Sequence, residues 1–318
     1  MRSGQNPAKF IDKAGKAERV TVVIVTYIPF QQGYFAEAKA VLDLCLDSLR
    51  RNTPQAHDLL VFDNGSAPEV VADLVRGHAE GRIDYLFLSD RNLGKGGAWD
   101  MAFPAALGEI VAYADSDVFF HPGWLEESLA VLESFPKVGM VSGRPLRTNP
   151  ELIASTLHWA EGEGEAEVER GSLIPWDVFR EHDVNLGQPE AEVRKRFDST
   201  QDIRVTYRGR QAFVGAVHWQ FVAWKGTLGH VLPLGLSRPM GEVRELDRRL
   251  DEAGFLRLMT TAPLVRHLGN AIPDDLRTSP KVTRPGGSGR GRSLLDWGPV
   301  RRVLLAVHNQ IFRWYFRG

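Results

Sequence analysis

The sequence predicts an α/β fold in which helices flank a mostly parallel sheet, and two observations carry that prediction. Residues 20–27 (VTVVIVTY) form a near-continuous run of apolar, mostly β-branched side chains, which is typical of a parallel strand buried on both faces. Apolar residues at helical spacing follow over 41–49, and a second strand-like run (HDLLVFDNGS) occupies 57–66. Strands that alternate with helices form parallel βαβ units, and such sheets bind ligands beyond the carboxyl ends of their strands.

The alternation continues along the chain. It predicts further strands at 83–89, 110–114 and 138–143, and helices at 67–78, 96–107 and 124–135. Pro104 is expected to end or kink the helix that contains it. Residues 213–224 and 256–270 return to a strand-like pattern, and 241–255 has the pattern of an amphipathic helix that Gly254 ends.

The composition predicts one large domain with an extension at each end. The predicted parts are a polar tail at 1–19, the domain at 20–275, a flexible linker at 276–292 and an amphipathic helix at 293–318. Inside the domain, residues 144–212 are charged and show few clean periods. We expect them to form an inserted lid and partner-binding region or a locally disordered segment.

Charge, cysteine content and hydropathy exclude several classes of protein. A formal net charge of −1 gives no global field that recruits nucleic acid. Cys45 is the only cysteine, which excludes an internal disulfide and a cysteine-based zinc cluster and fits a reducing compartment. Residues 1–19 lack the apolar core of a signal peptide, and no run approaches the roughly 20 apolar residues of a membrane span. These features predict a cytoplasmic protein.

Two carboxylates follow the buried run at 110–114, one residue apart, in the segment Asp115-Ser116-Asp117. One interpretation is a turn, because Asp and Ser bond readily to nearby backbone at strand ends. The other is a site for a divalent cation, since Mg²⁺ and Mn²⁺ prefer oxygen ligands. Asp63 ends another predicted strand at the same edge of the sheet. Separate segments that deliver acids to one edge favour the metal site.

Five segments, in this order, resemble the family 2 glycosyltransferases, which have the GT-A fold, a relative of the Rossmann fold. The segments are VIVTY (23–27), VFDNGS (61–66), RNLGKGGAWD (91–100), ADSD (114–117) and GEVRELDRRLDEAGF (241–255). Each is weak alone, but together they span most of residues 20–270. The resemblance implies a nucleotide-binding half at 20–143, an insertion at 144–212 and an acceptor half at 213–275.

The resemblance also implies roles for individual residues on the donor side. The turn after the first strand, with Thr26 and Tyr27, would contact the nucleotide, and Asp63 would bond the nucleobase. The remaining donor-binding positions would be Asn92, Gly94, Lys95, Ala98, Asp115 and Ser116. The glycines of this segment would let the backbone approach a diphosphate closely, while Lys95 adds positive charge.

The implied cofactor is a divalent metal, Mg²⁺ or Mn²⁺, held by the Asp-x-Asp motif. Asp117 would ligate the ion directly, and Asp115 would be shared between the ion and the ribose. His267, in VRHLGN, would complete the metal shell, with a structural or surface role as the alternative. The ion would stabilise the negative charge that grows on the leaving diphosphate.

Transfer also requires a base for the acceptor hydroxyl. The family commonly has Glu-Asp in the acid-rich helix, with the Asp as base, whereas this chain has Glu242-Val243. Glu242 is the first candidate for the base and Glu245 is the second. The alternatives are impaired catalysis and a purely solvated role for Glu242.

The acceptor side carries weaker signals. Trp159, Trp176, His218 and Trp219 are either sugar-stacking platforms or ordinary core residues. The terminal helix combines arginines with aromatic residues, which suits the inner face of the cell membrane and would favour a lipid-linked acceptor. The alternative is that this helix packs on its own domain or on a second subunit of a homodimer.

The residues and the resemblance together predict a metal-dependent glycosyltransferase that moves a sugar from a nucleotide-sugar to an acceptor hydroxyl, in glycan, polysaccharide or glycolipid assembly. The resemblance implies that the transfer proceeds with inversion. UDP is the expected nucleotide, with GDP and dTDP open. The first alternative is a non-catalytic protein of the same fold that binds a nucleotide-sugar or a partner, which Val243 favours and Asp-Ser-Asp opposes. The second is a sugar-phosphate nucleotidyltransferase, which the single late glycine of TYIPFQQG (26–33) disfavours.

Overall fold

A computed structural model describes residues 14–235 and 243–277 of the chain. The strands are β1 Val20–Thr26, β2 Asp58–Asp63, β3 Tyr85–Leu88, β4 Ile110–Asp115, β5 Val118–Phe120, β6 Val138–Ser142, β7 Ala166–Gly171, β8 Asp202–Tyr207, β9 Arg210–Val214, β10 Gln220–Trp224, β11 Leu256–Met259 and β12 Val265–His267. The helices are α1 Ala38–Asn52, α2 Pro68–Ala79, α3 Gly94–Ala105, α4 Trp124–Ser134, α5 Ala154–Gly162, α6 Trp176–Asn185, α7 Glu190–Ser199, α8 Lys225–Val231 and α9 Arg244–Glu252. Short 3-10 turns lie at Gly33–Phe35, Pro150–Leu152 and Asp274–Leu276.

The main sheet has the strand order β3-β2-β1-β4-β10-β6-β11-β9-β8-β7. Strands β3, β2, β1, β4, β6, β11 and β8 run in one direction, and β10, β9 and β7 run in the other. The predicted α/β class with a mostly parallel sheet is therefore confirmed. The antiparallel neighbours lie beyond β4, so the half of the sheet that contains β1 is purely parallel.

Apolar clusters cover both faces of this sheet, which explains the near-continuous apolar pattern of its first strand. Val22 and Ile24 belong to one cluster, and Val23 belongs to the other. Helices α1, α2 and α4 to α7 contribute to the first cluster, and α3, α8 and α9 contribute to the second. Successive strand residues point to opposite faces, so a strand buried on both sides has no polar alternation.

Residues 144–212 form regular elements, with α5, α6 and α7 beside the two strands β7 and β8. β8 pairs with β9 and β7 pairs with β8, so this region extends the edge of the main sheet. The structure thus gives these residues an ordered fold in place of the alternative of local disorder. Their strands escaped the sequence pattern because β7 (AEVERG) is an edge strand with alternating exposed charges.

A second, two-stranded sheet joins the end of the domain to the acidic motif. β12 pairs antiparallel with β5, and His267 lies opposite Val118, the residue after Asp117. The amide of Leu268 also donates a hydrogen bond to the Asp117 carbonyl at 2.7 Å. Backbone pairing therefore brings His267 next to the acidic motif.

The chain divides into two compact units, residues 1–273 and 274–318. Of the second unit the structure describes 274–277, where Asp274–Leu276 form one 3-10 turn. Glu242, most of the predicted tail at 1–19, nearly all of the linker at 276–292 and the helix at 293–318 lie outside the described residues. Over the described ranges, no helix is both long enough and apolar enough to span a membrane.

Candidate active site

Three parallel strands end side by side and place the predicted donor-binding residues along one edge. Thr26 of β1 pairs in register with Asp63 of β2, and Val25 of β1 pairs with Asp115 of β4. Because the carboxyl ends of parallel strands meet at the same edge, Thr26, Asp63 and Asp115 are neighbours despite their separation in sequence. We call this row of strand ends the donor edge.

Asp63 is fully buried at the donor edge. Its Oδ2 accepts hydrogen bonds from the amides of Gly65 at 3.3 Å and Ser66 at 3.1 Å, which fixes the turn after β2. Its Oδ1 is buried without a hydrogen-bond partner, and so is Oγ1 of the adjacent Thr26. Buried polar atoms normally have partners, so these two oxygens are suited to meeting donors on a ligand.

A network of amide side chains shapes the loop that leads into α3. Asn92 Oδ1 accepts from Asn64 Nδ2 at 3.0 Å and from the Gly94 amide at 2.7 Å, and Asn64 Oδ1 accepts from the Leu93 amide at 2.8 Å. Gly94 has a φ of +72°, a conformation in which glycine avoids the strain that a side chain would bring. The structure therefore gives Asn92 and Gly94 a defined part in building this loop. Ala98, one turn into α3, is fully buried and belongs to the second apolar cluster.

Lys95 connects the start of α3 to the acidic motif. Its Nζ lies 2.6 Å from Asp115 Oδ2 and 5.2 Å from the centroid of the Trp99 ring. The Tyr113 hydroxyl donates a hydrogen bond to the other oxygen, Asp115 Oδ1. Burial raises the pKa of Tyr113 well above its usual value, so this hydroxyl keeps its proton and remains a donor. Sequence inspection missed Tyr113 because its side chain lies inside an otherwise apolar strand.

Asp117 and His267 face each other across the β5–β12 pair. His267 Nε2 lies 3.4 Å from Asp117 Oδ2, while Asp117 Oδ1 and His267 Nδ1 are buried without partners. The carboxylate is crowded by protein although 27 % of the side chain is exposed. This burial raises the pKa of Asp117, and the nearby His267 opposes the effect. The structure thus brings together two of the three predicted metal ligands.

The three predicted ligands have the chemistry of a Mg²⁺ or Mn²⁺ site, namely two carboxylates and an imidazole. The unpartnered Oδ1 of Asp117 supports that fit. Asp115, in contrast, is already bound by Lys95 and Tyr113. Over the described residues, no three His, Cys, Asp or Glu side chains are gathered as closely as a bound ion would require. The three ligand side chains suit a divalent cation. At Asp115, a bound metal ion would compete with the Lys95 ammonium group.

Tyr27 and Ser116 have less defined surroundings at the donor edge. The Tyr27 ring contacts Phe35 edge-on at a centroid distance of 6.3 Å. Ser116 lies half-buried in the turn between β4 and β5. The ring contact of Tyr27 and the partial burial of Ser116 do not by themselves indicate that either residue binds a ligand.

Three aromatic rings continue the site away from Asp117. His267 lies 5.3 Å from the Trp219 ring centroid and 6.0 Å from that of His182, and His182 stacks on Trp219 at 5.7 Å. Burial lowers the pKa of His182 to about 3, so this imidazole stays neutral. Of the two roles considered for Trp219, sugar platform and core residue, the structure supports the core residue, because only 7 % of Trp219 is exposed. His182 was missed because no motif surrounds it.

A cavity of about 180 Å³ adjoins this ring cluster at His182, which is one of its lining residues. Its charged and titratable lining residues are Arg147, His182, Asp183, Arg196, His218, Arg244, Asp247 and Arg257. His218 Nδ1 lies 3.0 Å from Asp247 Oδ2, and Asp247 Oδ1 accepts from Arg257 Nη2 at 2.6 Å. Both Asp247 and Arg257 are buried. We call this space the cavity throughout.

The two predicted bases have different outcomes. Glu242 lies outside the described residues. Glu245 Oε1 lies 2.7 Å from both Arg248 Nη2 and Arg249 Nε, and Arg248 Nε donates to Oε2 at 2.9 Å. Hydrogen bonds from Arg248, which has the larger effect, and from Arg249 lower the pKa of Glu245 to about 2. A carboxylate so strongly stabilised in its charged form is a weak base.

Asp247 is the buried acid of this helix that sequence inspection passed over. It lies on the inward side of α9 with Leu246 and Leu250, the apolar residues that pack into the core. An acid on the apolar face of an amphipathic helix is the signal that could have identified it. Its partner His218 was noticed only as one member of an aromatic-rich segment.

The chain is similar in sequence to a known family and to two curated proteins. Residues 21–176 match the model of the glycosyl transferase family 2. The chain is 29% identical over 85 residues to the putative glycosyltransferase EpsH of Bacillus subtilis, covering 27% of this chain and 24% of that protein. It is 29% identical over 103 residues to the uncharacterized glycosyltransferase alr2836 of Nostoc, covering 31% of each. The chain therefore spans about a quarter to a third of the length of these relatives.

Solved structures show more distant likenesses. The Staphylococcus aureus protein TarS in complex with UDP-GlcNAc has a TM-score of 0.33 and 17% identity, with 43% of this chain and 38% of that chain covered. GalNAc-T7 with UDP, GalNAc and Mn²⁺ has a TM-score of 0.47 and 16% identity, with 80% and 44% covered. Over residues 21–176, just under half of its length, the chain matches the glycosyl transferase family 2, and both curated relatives are named glycosyltransferases.

Proposed function

We propose that this protein transfers a sugar from a nucleotide-sugar donor, bound at the donor edge, to an acceptor hydroxyl. The observation that carries the proposal is a set of three buried oxygen atoms without partners, Thr26 Oγ1, Asp63 Oδ1 and Asp117 Oδ1. They occur in the segments where β1, β2 and β4 end. Unpartnered buried oxygens are costly unless a ligand pairs with them.

The donor's nucleotide and diphosphate would occupy different parts of this edge. Asp63, with its free oxygen, would accept a hydrogen bond from the nucleobase, next to Thr26 and Tyr27. The diphosphate would lie near the start of α3, where backbone N–H groups and the helix dipole favour an anion. Lys95 adds a positive charge at that point, and its present partner is Asp115. UDP is the proposed nucleotide, with GDP and dTDP as alternatives.

A divalent cation would be held by Asp117, Asp115 and His267. When bound, the ion supplies positive charge that stabilises a departing diphosphate. The buried free oxygen of Asp117 is the strongest support for this assignment, and the Lys95–Asp115 contact is the feature that binding would have to displace.

The proposed reaction is a single displacement with inversion. The acceptor oxygen attacks the anomeric carbon, the bond between that carbon and the diphosphate oxygen breaks, and its electron pair leaves with the nucleoside diphosphate. The acceptor proton passes to a base on the protein. Glu242 stays a predicted base, whereas the two arginines bound to Glu245 argue against that residue. The acceptor is proposed to be a glycan or a lipid-linked sugar, and membrane attachment through 293–318 stays a prediction.

The test is release of nucleoside diphosphate from a panel of donors. The panel contains UDP-glucose, UDP-galactose, UDP-N-acetylglucosamine, UDP-N-acetylgalactosamine, GDP-mannose and dTDP-glucose, each with Mn²⁺ and with EDTA. We expect slow release from one UDP-sugar that requires Mn²⁺, with water as the acceptor. Binding of a nucleotide without any release would favour the non-catalytic alternative, and neither binding nor release would contradict the proposed function.

A further inference from the structure

The cavity contains a pair of side chains, His218 and Asp247, that has the form of a positioned base. His218 Nδ1 lies 3.0 Å from Asp247 Oδ2. The Asp247 side chain is 3 % exposed, whereas 28 % of the His218 side chain is exposed. One member of the pair is therefore held inside the protein, and the other reaches a space that a ligand can enter.

The hydrogen bonds of Asp247 determine which nitrogen of His218 is available. Arg257 Nη2 donates to Asp247 Oδ1 at 2.6 Å, so the carboxylate is paired with a buried guanidinium. An ionised carboxylate only accepts hydrogen bonds, so Nδ1 of His218 carries the hydrogen in the bond to Asp247. The lone pair then lies on Nε2, and the negative charge of Asp247 would stabilise the imidazolium that forms if Nε2 takes up a proton.

The cavity is next to the site proposed for the donor. His182 lines the cavity, and its ring lies 6.0 Å from the ring of His267, which in turn lies 3.4 Å from Asp117. Trp219, the residue after His218, accepts a hydrogen bond through its carbonyl from the Asp115 amide at 2.8 Å, so the chain at His218 runs directly beside the acidic motif. The volume of about 180 Å³ is roughly six times the share of one water in the liquid, which is enough for a sugar ring.

The lining of the cavity has unused hydrogen-bonding capacity. Thr148 Oγ1, His182 Nδ1 and Arg257 Nε are buried atoms without partners, and all three residues line the cavity. Arg257 is fully buried, and a guanidinium N–H can only donate. A ligand rich in oxygen acceptors, such as a sugar with several hydroxyls, would satisfy these groups.

We propose that the cavity receives the acceptor and that His218 is the catalytic base, with Asp247 as its positioning residue. The proton of the acceptor hydroxyl passes to Nε2 of His218 as the hydroxyl oxygen bonds to the anomeric carbon. The electron pair of the breaking bond leaves on the nucleoside diphosphate, and the new imidazolium is stabilised by Asp247. This inference rests on the proposed function, because it names the base of that reaction.

The variants are chosen to separate a chemical role from a structural one. His218→Gln removes the base and keeps a polar side chain of similar size beside Asp247. His158→Gln is the matched control, since His158 is an exposed histidine on α5 outside the cavity. His218→Ala leaves room in the cavity for added imidazole, which can act as a base in place of the missing ring.

The experiment measures UDP release from the UDP-sugar that gives turnover, together with UDP–Mn²⁺ binding by the same preparations. We expect His218→Gln to lower kcat by about 10²–10⁴-fold, the usual contribution of a general base, with the Kd for UDP–Mn²⁺ unchanged. His158→Gln should match the wild type. Imidazole should raise the rate of His218→Ala and leave the rate of the wild type unchanged.

Four outcomes would overturn the inference. They are wild-type turnover in His218→Gln, equal losses of turnover and UDP affinity in that variant, no response of His218→Ala to imidazole, and UDP binding by the wild type without any turnover. In all four, nucleotide binding by the wild type would leave the donor site standing. A wild-type protein that binds no nucleotide would instead contradict the proposed function, and the base assignment would fall with it.

Discussion

The donor edge and the cavity are two polar sites in one fold, and they are constructed in different ways. The donor edge uses the last residues of adjacent parallel strands, so Thr26, Asp63 and Asp115 become neighbours through backbone register alone. The cavity depends on side-chain packing between distant segments. Arg257, for example, donates to the carbonyl of Ala216 and to that of Leu152.

This difference affects what each site can tolerate. At the donor edge, the backbone positions the groups, and buried oxygens are left free for a ligand. In the cavity, charged lining groups are paired with one another, as in the Arg196–Asp183 and Arg257–Asp247 pairs. Substitutions at the donor edge should therefore reduce ligand binding, and substitutions around the cavity should reduce stability as well.

The largest expected effect is on stability, for Arg257→Met. The Arg257 and Asp247 side chains are 0% and 3% exposed, so removing the guanidinium leaves a buried carboxylate without its cation. We expect the free energy of unfolding, measured in urea, to fall by about 3–5 kcal/mol. The control is Arg208→Met, which removes an exposed partner of Glu165 and should have no measurable effect. Equal stability of the two variants would show that the cavity does not depend on its buried charges.

A smaller effect, confined to binding, is expected for Asp63→Asn. The amide oxygen can still accept from Gly65 and Ser66, which leaves an NH₂ group where Asp63 has its free Oδ1. A donor on the nucleobase would then face a donor. Loss of one hydrogen bond to a charged group is worth about 1.5–3 kcal/mol, so calorimetry should show a roughly 10- to 100-fold weaker Kd for UDP.

The control for that substitution is Asp58→Asn, which lies at the opposite end of the same strand. Asp58 accepts a hydrogen bond from the Glu18 amide at 3.0 Å and is far from the donor edge along β2. UDP affinity should be unchanged in Asp58→Asn. Equal affinities for wild type and Asp63→Asn would remove Asp63 from the donor site.

The smallest effect is expected for Glu245→Gln and depends on pH. The hydrogen bonds from Arg248 and Arg249 lower the pKa of Glu245 from 4.5 to about 2. A lowered pKa contributes stability above the ordinary value of 4.5, and that contribution disappears as the pH falls through about 2. Because this pair is near the surface, the difference at neutral pH should be only about 0.5 kcal/mol.

Urea unfolding of wild type and Glu245→Gln across this acid range measures that difference. Glu192→Gln is the matched control, because Glu192 is an exposed helix carboxylate that forms no ion pair within the described residues. A stability difference that stayed constant from pH 7 to below the lowered pKa would contradict the ion-pair explanation for Glu245.

The donor edge could be predicted from the sequence to a greater extent than the cavity. Strand and helix order in residues 20–143 could be predicted because their apolar patterns are strong and their contacts follow from parallel register. His267 was expected near Asp117 because the family resemblance implies a late histidine in the metal shell, and the pairing of β12 with β5 brings the two residues together. The Asp247–His218 contact could not be predicted, because it depends on how α9 packs against the segment before β10.

Strand β7 and Asp247 of α9 show where prediction from a sequence pattern fails. β7 alternates exposed charges with partly buried residues, a pattern that also suits a surface loop. Asp247 occupies the apolar face of α9, where a simple amphipathic pattern offers no reason for an acid. Its reason lies in Arg257, ten residues further along the chain on β11, and that pairing is a property of the folded structure.

The central claim is that the donor edge binds a nucleotide with a divalent metal through Asp117. Its most direct test is thermal unfolding of wild type and Asp117→Ala with UDP, GDP and dTDP, each with and without Mn²⁺. A ligand at 100 times its Kd should stabilise the fold by about 2.7 kcal/mol. We expect a Mn²⁺-dependent shift with UDP for the wild type that Asp117→Ala abolishes. No shift with any nucleotide, or an equal shift in both proteins, would contradict the claim.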